Sequence, residues 1–424
     1  MFAMAWRNLW RQRGRSSIML SVIAFTFGMM LMTMGMGDFM HSQMAQSAVD
    51  GAGGSVLVHA EGYWASQGAE LVIREPDPLI AEAEQLEGTR LVVPRVRVYG
   101  LLNSARGAAG VSLMGIVPEK EAALEDYSRF VVEGDYLLGD VADPLVLGRG
   151  VVEELELELG DKVVLTATDP QGELVRALFH LSGIVETGVD SIDDVLAMTS
   201  LRKAQEALAL GDAVHQLGVV LDDDARRFAV RDVLRERLGP KAEDLGEQAK
   251  RPSAQKLELL TWDEAMPEML GFIEIDDAFF YVFALAIFVV VAFGVANTFL
   301  MSVKQRVREL GLLAALGLRP AQVARLVLFE TLLLASLSLL IGYAIGLAGH
   351  LLLLHYGIDM KSFYDADMEV SGVALVDTML HSQLTVSKWL NAGLVLLVGL
   401  MLSALYPALM ASRLDPVEAM RSFD

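Results

Sequence analysis

The chain of 424 residues contains no cysteine. Disulfide staples, thiolate metal sites and acylation of a cysteine on the chain itself are therefore excluded. No lysine follows a glycine anywhere. A Gly-x-x-x-x-Gly-Lys-Ser/Thr phosphate loop is thus missing, and the chain cannot hydrolyse ATP by that route. The seven histidines are scattered, with no HExxH pair to hold zinc. No G-x-S-x-G nucleophile elbow occurs either. "GRGVVE" (148–153) starts like a glycine-rich turn but lacks the third glycine. "LDDDARR" (221–227) lacks EF-hand spacing and reads as a helix N-cap. Positive charge is scarce: 34 Lys and Arg against 55 Asp and Glu leave the chain at −21. Residues 40–278 hold 44 of those acids and 21 bases. Phosphate binding needs a cationic face, so nucleic acid is excluded as a partner, and the acidity reads as a solvated surface.

Long apolar runs are abundant. Ile18–Phe39, Phe279–Met301, Leu326–Leu354 and Leu390–Met410 are each long and apolar enough to cross a bilayer. At 1.5 Å per residue, about 20 residues span the roughly 30 Å hydrocarbon layer. The first run follows Arg7, Arg11, Arg13 and Arg15 and has no convincing cleavage site, so it reads as an uncleaved signal anchor. Cations also cluster at Lys304, Arg306, Arg308, Arg319 and Arg325, and at Arg413 and Arg421. The segment 354–389 instead has two Lys and five acids. This asymmetry places both termini in the cytoplasm and the acidic domain outside.

The fold class expected is a membrane protein: four transmembrane α-helices plus a large extracytoplasmic α+β domain inserted between helices 1 and 2. Its parts are an entry helix and first span (1–40), the outer domain (41–275), a second span (276–303), a short cytoplasmic helix (304–323), a third span (324–354), an outer loop (355–388), and a fourth span with a cytoplasmic tail (389–424). In the outer domain, "SVLVHA", "RLVVPRVRVYGLL", "GVSLMGI", "DKVVLTAT" and "LVRALFHLSGIVETG" read as strands. "DPLIAEAEQLEG", "VVEELELELG", "SLRKAQEALALG" and "DDARRFAVRDVLRERLG" read as helices, the last in a lobe of its own, and 241–256 as an exposed loop. No catalytic constellation appears, so the domain reads as a binding or force-transmitting module.

"VKQRVRELGLLAALGLRP" (303–320) lies between two spans on the basic side. It reads either as an interfacial turn with snorkelling cations or as a docking helix. Gly311, Ala315 and Gly317 would admit close approach of another surface, and Glu309 is an acid among cations. "FGMMLMTMGMGDFM" (27–40) holds six methionines, including Met29, Met30, Met32 and Met36. These are either lipid-facing side chains or adaptable contacts for an apolar substrate, with Gly28, Gly35 and Gly37 leaving room. In the substrate reading, helices 1 and 2 of two protomers would form the groove, with Phe283 and Phe293 contributed by helix 2. Gly342 and Gly346 form a G-x-x-x-G, which reads as helix packing.

"NTFLMSVKQRVRELGLLAALGLRPAQVARLVLFETLLLA" (297–335) resembles the signature of the MacB/FtsX/LolC-type ABC transporter permeases. The matching positions are Asn297, Arg308–Gly311, Ala315–Gly317 and Glu330. "YPALMASRLDPVEAMR" (406–421) is similar to the family's closing motif, through Asp415, Pro416 and Glu418 among others. "PLVLGRGVVEELELELGDKVVLTATDPQGE" leans toward lipoprotein-releasing (LolC/LolE-like) permeases, although Val151-Val152 stand where Leu-Ala is usual. The resemblance implies a permease that binds no cofactor itself. A separate dimeric cytoplasmic ABC ATPase would hold the ATP and magnesium and grip Arg308, Glu309, Gly311, Ala315 and Gly317. A second permease protomer, identical or not, would complete eight helices. A periplasmic carrier or adaptor and membrane lipid are further partners. The function implied is extraction or export of a lipidated or amphiphilic substrate. The alternatives are mechanotransmission to an extracytoplasmic partner such as a cell-wall hydrolase, and MacB-like efflux with an adaptor.

Overall fold

The computed structural model describes residues 6–7, 11, 13–137, 142–238, 256–315, 318–359, 369–370, 373–374 and 379–413. Gly317, Asp415, Pro416, Glu418 and the expected loop 241–256, save its last residue, lie outside these residues. The chain forms two compact units. One comprises Met1–Ser42, Ile273–Phe363 and Asp377–Asp424; the other comprises Gln43–Phe272 and Tyr364–Val376.

Among the described residues, the main sheet of the second unit has ten strands: β1 (Val56–Ala60), β2 (Thr89–Asn103), β3 (Ala108–Ile116), β4 (Val131–Gly134), β5 (Pro144–Gly148), β6 (Lys162–Thr168), β7 (Leu174–Val185), β8 (Leu196–Ser200), β9 (Gln216–Leu221) and β10 (Leu257–Thr261). They pair in the order β10-β1-β9-β2-β3-β8-β5-β7-β4, and β6 bridges β2 and β7. That bridge closes a ring through β2, β3, β8, β5, β7 and β6. The ring is filled by β-branched and large side chains, among them Val98, Leu102, Val111, Leu113, Leu147, Leu165 and Phe179, all nearly fully buried. The first half of β2 belongs to a different layer. There β10, β1, β9 and Thr89–Arg95 form an antiparallel sheet. A separate core of Val56, Val58, Val92, Val219 and Leu259 packs under α2 (Pro76–Glu84) and α5 (Arg227–Leu238). Asp223 caps the turn before α5 by accepting from the Ala225 amide, as its Asp-rich sequence suggests. The remaining helices of this unit include α3 (Arg149–Glu154) and α4 (Leu201–Ala207).

Among the described residues, four helices are long and apolar enough to cross a membrane: α1 (Arg13–Ala52), α6 (Pro267–Gln305), α8 (Pro320–Tyr356) and α9 (Val386–Ser412). From Gln43 onward α1 belongs to the second unit. Its end is fixed there by side chains that take its orphan carbonyls. Gln216 donates to the Ala52 carbonyl at 2.5 Å, and Arg95 donates to that of Asp50 at 3.4 Å. Arg95 is itself buried on Glu121. The chain then turns through Gly53 and Gly54 at φ +97° and +151°, where a side chain would be strained.

In the first unit α1 and α8 pack through glycines. A Cβ at Gly28 would lie 2.6 Å from Ile345, and one at Gly342 would lie 2.7 Å from Phe27. Gly346 likewise abuts Leu31. Small residues let two backbones approach where no hydrophobic effect drives association. Gly28 therefore belongs to a helix contact and leaves no room for a ligand. Gly35 is also filled, by Ser382 and Gln383. Elsewhere the helices show large apolar side chains to the outside, such as Phe279, Phe283, Val290 and Phe293 on α6 and Leu390, Leu394 and Leu402 on α9. A face that size is stable only against lipid or another protein.

Candidate functional site

In the first unit, the charged turn after α6 and a ligand-sized cavity bear on function. The range 304–323 is not one helix: α6 ends at Gln305, α7 covers Val307–Ala315, and α8 starts at Pro320. Arg306 stands at the break between α6 and α7. Arg306 is nearly buried and reaches both Glu330 oxygens, at 3.1 and 3.0 Å. Its Nε lies 3.3 Å from Glu309, whose other oxygen takes a hydrogen bond from Arg11. Burial pushes the Glu309 carboxyl up, but the Arg11 and Arg306 guanidiniums outweigh it and hold the group below its ordinary range.

Glu309, one of the residues expected to meet the ATPase, is paired within the chain to Arg11 and Arg306 while its side chain stays 46% exposed. Leu310 and Gly311 are buried, whereas Glu309 stays exposed beside its two arginines. Arg308, Leu312 and Ala315 form the exposed face of α7, spaced four and three apart. Glu330, matched in the sequence only as a motif position, is the buried anchor of Arg306. Arg306 itself went unrecognised in the motif, because its two acid partners lie 3 and 24 residues away, and Arg11 reaches Glu309 from 298 residues away. Asn297, the remaining described motif residue, lies inside α6.

The second part is a cavity of about 370 Å³ between α1, α6 and α9. Its size falls in the range of small-molecule sites. α1 contributes Ile23, Thr26, Phe27, Met30 and Met34; α6 contributes Phe280, Phe288 and neighbours; α9 contributes Lys388, Asn391, Val395 and others. Lys388 is the one charged residue among the described lining residues. Of the expected groove residues, Met30 lines this cavity. Met29, Met32, Met36, Phe283 and Phe293 do not. Met32 packs on Gly349, and Phe283 and Phe293 are 67% and 73% exposed, on another side of α6. Met34, which also lines the cavity, was not singled out in the sequence.

At one end of the cavity is a smaller pocket lined by Asp38, His41, Asp276, Asp277 and Lys388 among others. Lys388 donates to one oxygen of Asp38. His41 lies 2.9 Å from Asp276 and 3.6 Å from Asp277. Among the described residues no group of three or more His, Cys, Asp or Glu is placed to hold a metal ion.

Two family models match the chain: a MacB-like periplasmic core domain over residues 16–237 and an FtsX-like permease C-terminal region over residues 281–416. The lipoprotein-releasing system transmembrane protein LolC of Neisseria meningitidis is 25% identical over 81% of this chain and 80% of its own length. LolE of Haemophilus influenzae is 24% identical over 87% of this chain and 86% of its own length. The macrolide export ATP-binding/permease protein MacB of Nitrosomonas europaea is 23% identical over 99% of this chain, which spans 58% of that longer protein. An FtsX-like membrane region, a MacB-like domain and relatives of both kinds agree with the Arg308–Gly311 and Ala315–Gly317 motifs: the chain belongs to the MacB/FtsX/LolC-type ABC transporter permeases.

Proposed function

We propose that this permease lifts a lipid-anchored or amphiphilic substrate from the membrane, in the manner of lipoprotein-releasing systems, using ATP hydrolysed by a separate cytoplasmic ATPase. The observation that carries this reading is the apolar cavity between α1, α6 and α9. An apolar pocket inside a membrane bundle gains little from lipid alone, so its use is to accept chains of defined size and hold one head beside Lys388. The names of the LolC and LolE relatives support lipoprotein release over drug export.

In this reading α1, α6, α8 and α9 cross the inner membrane, both termini lie in the cytoplasm, and the β-rich domain lies outside. The ATPase, a dimer with its own ATP and magnesium, docks on the exposed face of α7 through Arg308, Leu312 and Ala315. A second permease protomer covers apolar faces such as that of Phe283 and Phe293. Closure of the ATPase moves α7, and Arg306 carries that movement to α8 through Glu330. Because α1 and α6 run in both units, they are the covalent links through which the outer domain follows.

A soluble partner has a place on that outer domain. The outward face of β2, β6 and β7 presents Leu101, Asn103, Val164, Thr166, Leu174, Arg176 and Leu178 in register. It carries no acid, although the domain is strongly acidic, and Leu101, Leu174 and Leu178 are exposed. An acidic carrier or adaptor fits this face. The test is reconstitution of the permease with its ATPase and second protomer in proteoliposomes holding a lipidated protein. Release that needs ATP and stops when the acyl chains are removed supports the reading. ATP turnover that neither releases nor responds to lipidated protein would overturn it.

A further inference from the structure

The charged pocket at the end of the cavity is incompletely paired. Asp38 is 8% exposed at its side chain, with Lys388 on one oxygen. Its second oxygen, Oδ2, is buried without a hydrogen-bond partner. A buried carboxylate oxygen left unpaired costs the full desolvation of that atom, so such an atom calls for an explanation. Asp276 and Asp277 stand across the same pocket and share one His41. Three carboxylates therefore face one ammonium and one imidazole. The pocket has spare acceptors and lacks donors, and it opens beside an apolar cavity of about 370 Å³.

We propose that this pocket is a headgroup subsite for a primary ammonium, carried by the amphiphile whose chain lies in the cavity. The proposal rests on the reading of the cavity given above. An ammonium has three donors and no acceptor, which matches Asp38 Oδ2 and the carboxylates of Asp276 and Asp277. Lys388 acts as the resident stand-in: it occupies Asp38 when the site is empty and yields when a ligand ammonium arrives. Charge-assisted hydrogen bonds in a partly dry pocket discriminate an ammonium from an amide, which carries no charge and fewer donors. The same chemistry is offered by an ethanolamine phospholipid and by a diacylglyceryl-modified peptide with a free α-amine.

The two residues of the pair make opposite predictions, which a merely structural ion pair would not. The full-length protein in detergent is titrated with a diacylglyceryl-cysteinyl peptide bearing a free α-amine and with its N-acetylated form. A parallel arm uses phosphatidylethanolamine and its N-acetylated form. Wild type is expected to bind a free-amine form about 10-fold more tightly than its acetylated form; the arm that shows this identifies the source. Asp38→Asn is expected to abolish the preference while leaving affinity for the acetylated form unchanged. Lys388→Met is expected to increase it several-fold, because the competing ammonium is gone. Equal affinity for both forms in both arms overturns the subsite and leaves the cavity reading standing. Loss of preference in both variants alike overturns it as well, since the pair would then be a strut. No binding of any acylated form overturns the cavity reading too.

Discussion

At the α7 end of the long helices, Arg306 holds both oxygens of Glu330 and shares Glu309 with Arg11. At the cavity end, Asp38 has Lys388 on one oxygen and nothing on the other. Both clusters bury charge among apolar helices, yet they are completed differently. A buried ion whose bonds are satisfied fixes geometry, because any movement must break a pair. A buried ion with a free acceptor is ready to exchange partners. The first arrangement suits the transmission of force and the second suits a ligand.

The sharpest way to break the comparison is to remove the cation of the satisfied cluster. Arg306→Met takes from the buried Glu330 the cation that holds both its oxygens, and should destabilise the helical unit by about 3–5 kcal/mol. Replacing both residues, Arg306→Met with Glu330→Leu, should restore most of that stability without restoring ATP-driven release. Thermal unfolding in detergent and release assays on the same preparations check both halves. If the double variant transports normally, the pair carries no movement.

Packing between α1 and α8 comes next. A Cβ at Gly28 would lie 2.6 Å from Ile345 and 3.1 Å from the Gly342 carbonyl. Gly28→Val should cost about 1–3 kcal/mol as the two helices are pushed apart. Gly37→Val, at a position where a Cβ meets nothing within 4 Å, should be tolerated. Unfolding curves of the two variants separate them.

The outer domain contains a third kind of buried polar group. His59 is fully buried, with neither ring nitrogen hydrogen-bonded in normal geometry, and it stacks on Tyr63 at 5.3 Å. Burial pushes its pKa down to about 4, with Gln216 opposing only in part. Between the ordinary value of about 6.5 and about 4 the unfolded chain binds the extra proton, so stability rises with pH across that window. It is complete above about pH 6.5 and lost as pH falls toward 4, by roughly 3 kcal/mol at most. Denaturant unfolding of wild type at pH 7 and pH 4.5, beside His59→Phe, should show a slope in the first and a flatter one in the second.

The smallest effect expected is on the docking face. Ala315→Trp on exposed α7 should leave folding unchanged within about 0.5 kcal/mol. It should still reduce ATPase co-purification at least severalfold. Retained ATPase would move the docking face elsewhere.

The sequence made the long helices visible, because about 20 apolar residues in a row have few other uses. It also exposed the strands whose alternation runs seven residues or more, such as β2, β6 and β7. Five-residue strands such as "PLVLG", "LAMTS" and "LELLT" escaped, since a short apolar run does not distinguish strand from helix. Closure of the ring through β6 is a long-range pairing that no local pattern encodes. The cavity was half legible. Met30 was named, but helical phase is invisible on a helix that is apolar all round. On α6, Phe280, Ala284, Ile287, Phe288 and Val291 share the cavity face at steps of four, three, one and three, while Phe283 and Phe293 fall on other sides. Lys388 and Asn391, from a helix some 360 residues after Met30 in the chain, gave no signal at all.

The central claim is that acylated substrate sits in the cavity between α1, α6 and α9. A photoreactive amino acid at Met30 or at Phe293, in the assembled transporter with a lipidated protein bound before ATP is added, tests it directly. Cross-linking of the acyl chains at Met30, lost on ATP turnover, and none at Phe293 is the expected result. Cross-linking at Phe293 with none at Met30 would contradict it, and would move the substrate to the outward face of α6.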